Sequence, residues 1–522
     1  MSVQRIMGTE TEYGISVPGQ PHANPITTSG QVIQAYALAH GHHHLTHHWD
    51  YTDETPLADA RGWHHDRTTA HPSQLTHEWA DDPTVTNIVL TNGARLYVDH
   101  AHPEYSAPEV TTPRDALIWD RAGELIMAEA CRYLDESSAD HIDDGSRRTP
   151  PVTLYKNNTD GKGASYGYHE NYLVSRATPF DRIVTDLTPF LVARPLICGA
   201  GRVGIGQRSE TPGYQISARA DFFETRVGLE TTFRRPLINT RDEPHATPGR
   251  YRRLHLINGD ATFADVAGLL KTGTTSLVLG LIEAGGLPAY GLDPDDITPA
   301  DPVAAHHALS HDPTLQTSFT TMTGRTLTGL HLQWTYLHLV HSHLARTGGT
   351  DIDADTAEVL LHWEDLLTRL ERDPLSAAAQ LDWVAKWALL QGYRDRDGVS
   401  WSDPQLAAID LQWSDIRPGK GIARRLESRG HLERLTTADD VQAAVTSPPT
   451  DTRAWFRGEC LRRYGPHIMA ASWDSIVVDL PGREALHRIP MLEPRRGTRA
   501  QTEALLDRCP DVATLLDELT RS

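Results

Sequence analysis

The hydrophobic period changes partway along the chain, and this change constrains the fold more than any other feature. Short segments with period-two alternation recur as far as about residue 258, whereas apolar residues recur with a helical period from about residue 264 to about residue 430. Strands that come first and helices that follow favour an α+β fold built on antiparallel strands. The clearest predicted helices lie near residues 114–135, 264–284, 326–345, 355–371 and 377–391.

Two segments divide the chain further. Residues 40–80 are polar and carry ten of the 28 histidines. Because no cysteine lies nearby and long polar loops are usually functional or disordered, we expect a flexible insertion over an active site more than a zinc site. Pro448 and Pro449 cannot continue a helix, and they mark the best candidate for a linker between two domains. We therefore expect a catalytic domain over residues 1–440 and a small C-terminal domain over residues 441–522.

Charge and cysteine content exclude several classes of protein. Lys and Arg number 49 against 69 Asp and Glu, which gives a net charge of −20. This argues against a general binder of nucleic acid or of anionic membranes, since both need a basic surface. No apolar run approaches the ~20 residues that span a bilayer, and the N-terminus lacks the apolar stretch of a signal peptide. Four dispersed cysteines without a CxxC pair predict a reducing, cytoplasmic location.

Carboxylates recur at alternate positions in two strand-like segments. Glu10 and Glu12 project from one strand face roughly 7 Å apart, a spacing that can hold Mg²⁺. Spacing alone favours the simpler alternative of a solvated edge strand. In the second segment Tyr97 and Asp99 share a face, and we expect Pro103 to end the strand with Glu104 at the turn. An Asp placed in this way suits a general base or nucleophile, although a polar strand face explains the pattern equally well.

Two further strands carry histidine beside other polar side chains. His169 and Asn171 share one strand face, and Arg253 and His255 share another. Either histidine alone is more often structural. Both together with Glu10 and Glu104 form an oxygen and nitrogen ligand set that suits Mg²⁺ or Mn²⁺, and Arg253 can contact phosphate bidentately.

The order and spacing of these motifs resemble the family of Pup ligases and Pup deamidases/depupylases, over nearly the whole chain. The matching segments are residues 5–14, 97–105, 169–173 and 253–255. The resemblance implies a fold similar to glutamine synthetase and the carboxylate-amine ligases, with a curved antiparallel sheet cradle packed by helices and a small C-terminal domain. Thr9, Tyr13, the short turn His100–His102 and the insertion resemble the deamidase branch.

The resemblance implies a hydrolase that acts on Pup, a small disordered protein modifier. Such an enzyme deamidates the C-terminal Gln of Pup to Glu and cleaves the isopeptide bond between that Glu and a substrate lysine. ATP and Mg²⁺ (or Mn²⁺) are then bound cofactors that are not consumed at each turnover. The implied partners are Pup, pupylated proteins and, as a further candidate, the proteasomal ATPase, with neither nucleic acid nor membrane. Since Pup is acidic in this family, a basic and partly apolar groove is expected.

The resemblance also assigns roles to residues. Asp99 is the expected catalytic carboxylate, and the sequence leaves open whether it acts as a base, as a nucleophile or beside an attacking phosphate. The open alternatives for the function are a Pup–protein ligase, a glutamate–amine ligase for small molecules and a non-enzymatic Pup-binding scaffold. The expected metal ligands are Glu10, Tyr97, Glu104, His169 and His255, and the expected nucleotide contacts are Glu10, Asn171, Arg253, Ser106, Ala107 and Trp473.

Overall fold

The computed structural model describes residues 2–40, 48–52, 54–63, 87–140, 151–347, 352–480, 482 and 485–521. Much of the predicted insertion, including His42, His43 and His44, lies outside these residues. The helices within them are α1 (Pro25–Ala39), α2 (Pro113–Asp140), α3 (Phe180–Ala193), α4 (Pro195–Cys198), α5 (Asp265–Glu283), α6 (Pro302–Ser310), α7 (Gly329–Thr347), α8 (Ala354–Arg372), α9 (Asp382–Asp397), α10 (Pro404–Trp413), α11 (Ile422–Ser428), α12 (Ala438–Ala444), α13 (Ala454–Tyr464), α14 (Arg499–Arg508) and α15 (Val512–Arg521).

The strands confirm the predicted division between an early strand-rich part and a later helical part. Those of the described residues are β1 (Met7–Glu12), β2 (Gly14–Ser16), β3 (His48–Trp49), β4 (Asn87–Val89), β5 (Arg95–Asp99), β6 (His102–Ser106), β7 (Thr153–Tyr155), β8 (Tyr168–Ser175), β9 (Arg202–Ile205), β10 (Thr211–Gln215), β11 (Phe223–Gly228), β12 (Arg235–Asn239), β13 (Tyr251–Leu256), β14 (Ser318–Thr320), β15 (Thr326–Thr328), β16 (Ile468–Ala471), β17 (Ser475–Val478) and β18 (His487–Pro490).

A six-stranded sheet forms the centre of the fold. Its strand order is β13-β8-β1-β6-β5-β4, and all neighbouring strands are antiparallel. Period-two alternation separates its two faces: in β8, Tyr168, Glu170 and Tyr172 are buried, whereas His169 and Asn171 between them are partly exposed. The buried face packs against helices α2 and α5. The predicted α+β fold is confirmed, and the sheet presents its polar face away from the core.

The helical half surrounds α5. This helix packs against α2, α3, α7 and α8, and Leu277, Leu281 and Ile282 are fully buried in the largest hydrophobic cluster. Among the described residues, α5 is also the one helix whose length and composition would suit a membrane span. Because 94% of its apolar window is buried inside the protein, α5 serves as the central helix of the core.

The C-terminal region has a small sheet and a hydrophobic cluster of its own. The sheet order is β18-β17-β16-β3, so the beginning of the predicted insertion contributes a strand through Trp49. Residues 54–63 contact the segment before β13: Asp59 accepts a hydrogen bond from the Thr240 hydroxyl, and the Ala60 amide donates to the Thr240 carbonyl. The described parts of the insertion are therefore anchored at two places. The division of domains at residue 440 stays a prediction.

One prediction about Pro103 is wrong. Pro103 does not end a strand but lies inside β6, opposite Val98 of β5. It is tolerated because it faces the end of β1, where its carbonyl accepts a hydrogen bond from the Tyr13 amide and its missing N–H interrupts little of the ladder. The chain turns instead at His100, whose φ of 53° is left-handed. Glu104 therefore lies within β6 and not at a turn.

Candidate active site

The strand register brings the predicted site residues onto one face of the central sheet. Glu10 lies opposite Ser106 of β6 on one side and His169 of β8 on the other. Glu12 lies opposite Glu104, which in turn lies opposite Tyr97. Residues paired in this way point to the same side of a sheet. The structure thus gathers on one surface the side chains that the sequence could place only strand by strand.

Glu10, His169 and His255 form a first group of donors. Each offers one ligand atom, and these atoms lie within 4.8 Å of one another. His169 Nδ1 lies 3.0 Å from Glu10 Oε2, and Asn171 donates a 2.8 Å hydrogen bond to the other oxygen. Burial opposes ionisation of Glu10, but the hydrogen bond with His169 and the nearby Arg253 hold its pKa well below the usual value. Burial lowers the pKa of His255, so its imidazole is neutral and can act as a ligand.

Glu12, Asp99 and Glu104 form a second group, again with one oxygen each within 4.8 Å of the others. Glu104 is 1% exposed, and neither of its carboxylate oxygens has a hydrogen-bond partner in the described part of the chain. Burial, together with the charges of Asp99 and Glu12, raises the pKa of Glu104 well above the usual value. Three carboxylates facing one another, two of them buried, are unfavourable without a cation, so this group fits a divalent metal ion.

Asp99 stands at the open end of the second group. Its carboxylate lies 3.1 Å from His100 Nδ1, and a quarter of its side chain is exposed. Burial raises the pKa of Asp99, but the hydrogen bond and charge of His100 outweigh it and leave the pKa below the usual value. The same hydrogen bond raises the pKa of His100 to about 9. Asp99 is therefore ionised at neutral pH, as a general base or nucleophile must be.

A cavity adjoins the first group and collects the residues expected to contact the nucleotide. Arg253 donates a 2.8 Å hydrogen bond to Asn171 Oδ1, and Asn171 donates to Glu10, so a continuous chain joins the cavity to the metal ligands. Apolar side chains on one wall suit a flat base, and the guanidinium suits phosphate. The cavity is lined by Glu10, Ser106, Ala107, Asn171, Arg253 and Trp473, and by Ile6, Met7, Leu173, Pro244 and Pro494.

Several residues of the site escaped the sequence analysis. Glu54, from the insertion, lines the cleft beside Asp99 and accepts a 2.6 Å hydrogen bond from Trp49 Nε1. The Arg95 guanidinium lies 4.2 Å from the ring centre of Trp49 and 3.9 Å from that of Tyr97. Glu12 was absent from the expected ligands, although its alternation with Glu10 already placed both on one face. Alternation places Arg95 on the same strand face as Tyr97 and Asp99, and Glu54 lies in the insertion that resembles the deamidase branch, but no role was predicted for either.

Comparison with known proteins defines the class. The chain matches the family model described as Pup-ligase protein over residues 5–477 and belongs to this family. It is 52% identical over 518 residues to a depupylase of Acidothermus cellulolyticus, with 99% of each chain covered. It is also 52% identical over 519 residues to a Pup deamidase/depupylase of Mycobacterium tuberculosis, again with 99% of each chain covered. A Pup–protein ligase of Paenarthrobacter aurescens is 39% identical over 424 residues, which cover 81% of this chain and 90% of the ligase.

Solved structures of the family share the fold. A complex between Pup and its ligase superposes with a TM-score of 0.76 at 30% identity and covers 97% of this chain and 92% of that one. A Pup ligase in complex with ADP gives a TM-score of 0.70 at 34% identity over 81% of this chain and 89% of that one. The family membership expected from the motifs is confirmed. Identity is higher to the two hydrolases than to the ligases, as the motifs of the deamidase branch predicted.

Proposed function

We propose that this protein is a Pup deamidase and depupylase. It hydrolyses the side-chain amide of the C-terminal Gln of Pup to Glu, and it cleaves the isopeptide bond between Pup and a substrate lysine. The observation that carries the proposal is the position of Asp99 beside Glu12 and Glu104, in a cleft that shares Glu10 and Arg253 with the neighbouring cavity. The chain is also 52% identical over its length to proteins named for this activity. Both reactions occur at the same γ-carbonyl, so one site serves both.

ATP and divalent cations are the proposed cofactors. The two donor groups and Tyr97 would hold Mg²⁺ or Mn²⁺, since carboxylates and imidazoles are the ligands that such ions take. Asn171 and Arg253 would meet the phosphates, with Trp473 against the base and Ser106 and Ala107 along the cavity wall. When bound, the cations stabilise negative charge that develops on the carbonyl oxygen. The ADP complex of a related ligase supports nucleotide binding in this family.

Asp99 is the proposed catalytic residue. As a base it accepts a proton from the attacking water, and as a nucleophile it attacks the γ-carbonyl and forms an anhydride that water then opens. In both routes the bond to nitrogen breaks, ammonia or the lysine amine leaves, and the γ-carboxyl of Pup remains. The exposed quarter of the Asp99 side chain faces the cleft, so a substrate carbonyl can reach it.

Pup and pupylated proteins are the proposed substrates, and the proteasomal ATPase is a proposed partner in the cytoplasm. A second and larger cleft offers room for a polypeptide and includes Tyr155, Trp401 and Trp413. Tyr166 links it to the site, since this residue lines the cleft and packs 4.2 Å from the ring of His102. The charged side chains that line this cleft are both basic and acidic, so the groove is not basic as expected. Apolar contacts would therefore provide most of the affinity for Pup. The charged residues of the lining are Lys156, Lys162, Arg202, Lys386, Asp160, Asp403 and Asp410.

Intact-mass analysis of Gln-ended Pup tests the proposal. We expect the purified protein to convert Pup to its Glu form when ATP and Mg²⁺ are present, and to release Pup from a pupylated protein. Asp99→Asn should abolish both reactions while ATP affinity stays within about twofold, because the substitution keeps the shape of the side chain. As a matched control, Asp395→Asn removes an exposed carboxylate on α9 that belongs to neither donor group and lines neither cleft. Wild-type turnover by Asp99→Asn would refute the catalytic role.

A Pup–protein ligase is the second candidate, because two solved structures that share the fold are complexes of Pup ligases. This alternative predicts steady ADP production coupled to the joining of Glu-ended Pup to a lysine. Absence of Pup conversion together with conjugation would establish it. Turnover of glutamate and a small amine without Pup would identify the small-molecule ligase instead, and Pup binding without either reaction would identify a scaffold.

A further inference from the structure

Glu109 joins the central sheet to the C-terminal region. It follows β6 and is 8% exposed. One carboxylate oxygen accepts a 2.6 Å hydrogen bond from Arg453 Nε, and the other accepts a 2.5 Å hydrogen bond from Arg457 Nη2. Burial opposes ionisation, but the two guanidiniums lower the pKa of Glu109 to about 2. A single buried carboxylate is therefore the shared ionic partner of two buried arginines that arrive from a distant part of the chain.

The same two arginines hold the wall of the nucleotide cavity. Arg453 donates 2.7 Å hydrogen bonds to the carbonyls of His245 and Met491. Arg457 donates a 2.9 Å hydrogen bond to the carbonyl of Trp473, and its guanidinium lies 5.2 Å from the ring centre of that residue. Glu109 lines the cavity together with His245, Arg453 and Trp473, whereas Arg457 lies behind this wall. The side chain expected to contact the base is thus fixed through Arg457.

Removal of the Glu109 charge would affect more than one ion pair. Arg453 and Arg457 would face each other without a counter-charge, and an uncompensated buried charge is strongly unfavourable. The arginines can escape only by moving toward water, which would take their hydrogen bonds away from His245 and Trp473. If the cavity wall has to become ordered when the nucleotide binds, the free energy of ordering weakens the affinity. A wall that is ordered beforehand avoids this loss.

We propose that Glu109 is a positioning residue for the nucleotide, which holds Trp473 and His245 in place through Arg457 and Arg453 before the nucleotide binds. This inference rests on the proposed role of the cavity as the ATP site. According to this inference, the C-terminal region contributes to the affinity for the nucleotide, and Glu109 does not contact the reacting atoms.

The affinity of the full-length protein for ATP, measured by calorimetry, tests the inference. We expect Glu109→Gln to weaken ATP binding about tenfold or more, as typically follows when a supporting partner of a bound group is lost. KM for ATP should rise in parallel, while KM for Pup and kcat at saturating ATP stay near the wild-type values. Glu109→Asp, which keeps the charge, should recover part of the affinity. A folded Glu109→Gln protein with wild-type ATP affinity would overturn the inference.

Glu459→Gln is the matched control. Glu459 is 3% exposed on α13 and also binds two arginines, Arg462 and Arg463, but it does not line the cavity. It should lower thermal stability and leave ATP affinity unchanged. If Glu109→Gln does not fold, Arg457→Lys provides the same test, since lysine keeps the charge but cannot reach both Glu109 and Trp473. An unchanged ATP affinity in that variant would also refute the inference.

The outcomes separate this inference from the proposed function. A wild-type protein that binds ATP but leaves Pup unchanged would refute the hydrolase, while weaker ATP binding by Glu109→Gln would still support the positioning role. A wild-type protein that converts Pup, together with equal ATP affinities in the wild type and the variant, would refute the positioning role alone.

Discussion

Glu104→Gln should make the metal-free protein more stable and the metal-bound protein less responsive to Mg²⁺. Glu104 faces Glu12 and Asp99 within 4.8 Å. At an effective dielectric constant of about 20, two unit charges at this separation repel by roughly 3.5 kcal/mol. An ionised Glu104 would meet two such charges, or roughly 7 kcal/mol. Without a cation the folded protein avoids this repulsion by keeping a proton on Glu104.

The proton on Glu104 determines the sign and the size of the stability change that we expect for Glu104→Gln. Because the pKa of Glu104 is raised on folding from its usual 4.5, this group favours the folded state below about pH 4.5 and loses that contribution as the pH rises toward the folded pKa. Each pH unit in this window costs up to about 1.4 kcal/mol. At about pH 7.5 the upper bound is therefore about 4 kcal/mol. The neutral amide of Glu104→Gln avoids this cost.

Urea unfolding in a chelating buffer, with and without added Mg²⁺, measures both effects. We expect the variant to exceed the wild type in metal-free stability by about 1–4 kcal/mol at neutral pH. Mg²⁺ at roughly a hundred times its Kd should stabilise the wild type by about 2.7 kcal/mol for each ion bound. The variant should keep only the contribution of the group around Glu10. Calorimetry in two buffers should detect a proton released by the wild type on binding, since ligands must deprotonate.

An exposed glutamate provides the control for charge removal. Glu136 lies on the surface of α2 and pairs with Arg132 in an exposed i,i+4 contact. Glu136→Gln should change neither the metal-free stability nor the response to Mg²⁺ by more than about 0.5 kcal/mol. If Glu104→Gln is instead less stable than the wild type without metal and equally responsive to Mg²⁺, the second donor group is not a cation site.

Three further results are expected. Trp473→Ala should raise the Kd for ATP by about tenfold, in line with roughly 1–3 kcal/mol per stacked base, whereas Trp473→Phe should raise it less in the same calorimetric assay. Burial lowers the pKa of His306 from its ordinary value of 6.5 to about 4. The wild type should therefore lose up to about 3 kcal/mol of unfolding free energy as the pH falls from 6.5 to 4, and urea unfolding of His306→Phe should not show this loss. Lys156→Met should cost about 3–5 kcal/mol in urea unfolding, because Asp120 and Glu124 would lose a buried partner that lies 2.5 and 2.9 Å away.

Local periodicity predicted the faces of the strands but not their neighbours. The alternation in residues 8–14, 95–99 and 169–172 correctly placed Glu10, Tyr97, Asp99, His169 and Asn171 on polar faces. Strand β1 pairs with β6 and β8 through residues more than 90 positions apart in the chain, and no local pattern encodes that pairing. The division of the candidate ligands into two groups follows from this order, so the sequence could not predict which of them lie together.

Contacts from the insertion and the C-terminal region were the least predictable parts of the site. Arg453 and Arg457 read in the sequence as ordinary basic residues of an acidic protein, yet they reach Glu109 more than 340 residues earlier in the chain. Glu54 reaches the cleft because residues 54–63 are anchored on Thr240 and Glu243, a contact without a periodic signal. Pro103 was misleading because proline usually ends a strand. Here it lies within β6 beside the end of β1, where one missing N–H weakens the sheet little.

The buried face of the sheet fixes the polar site. Leu96 and Tyr105 lie opposite each other on β5 and β6, and both are fully buried. The next pair along the two strands, Tyr97 and Glu104, points to the other side of the sheet. A slip of one residue would expose Leu96 and Tyr105 and turn Glu104 into the core. The burial of two large side chains therefore stabilises the register that forces Glu104 against Glu12 and Asp99. Since hydrophobic contacts behind the sheet supply this free energy, the carboxylates can be held close together before any cation arrives.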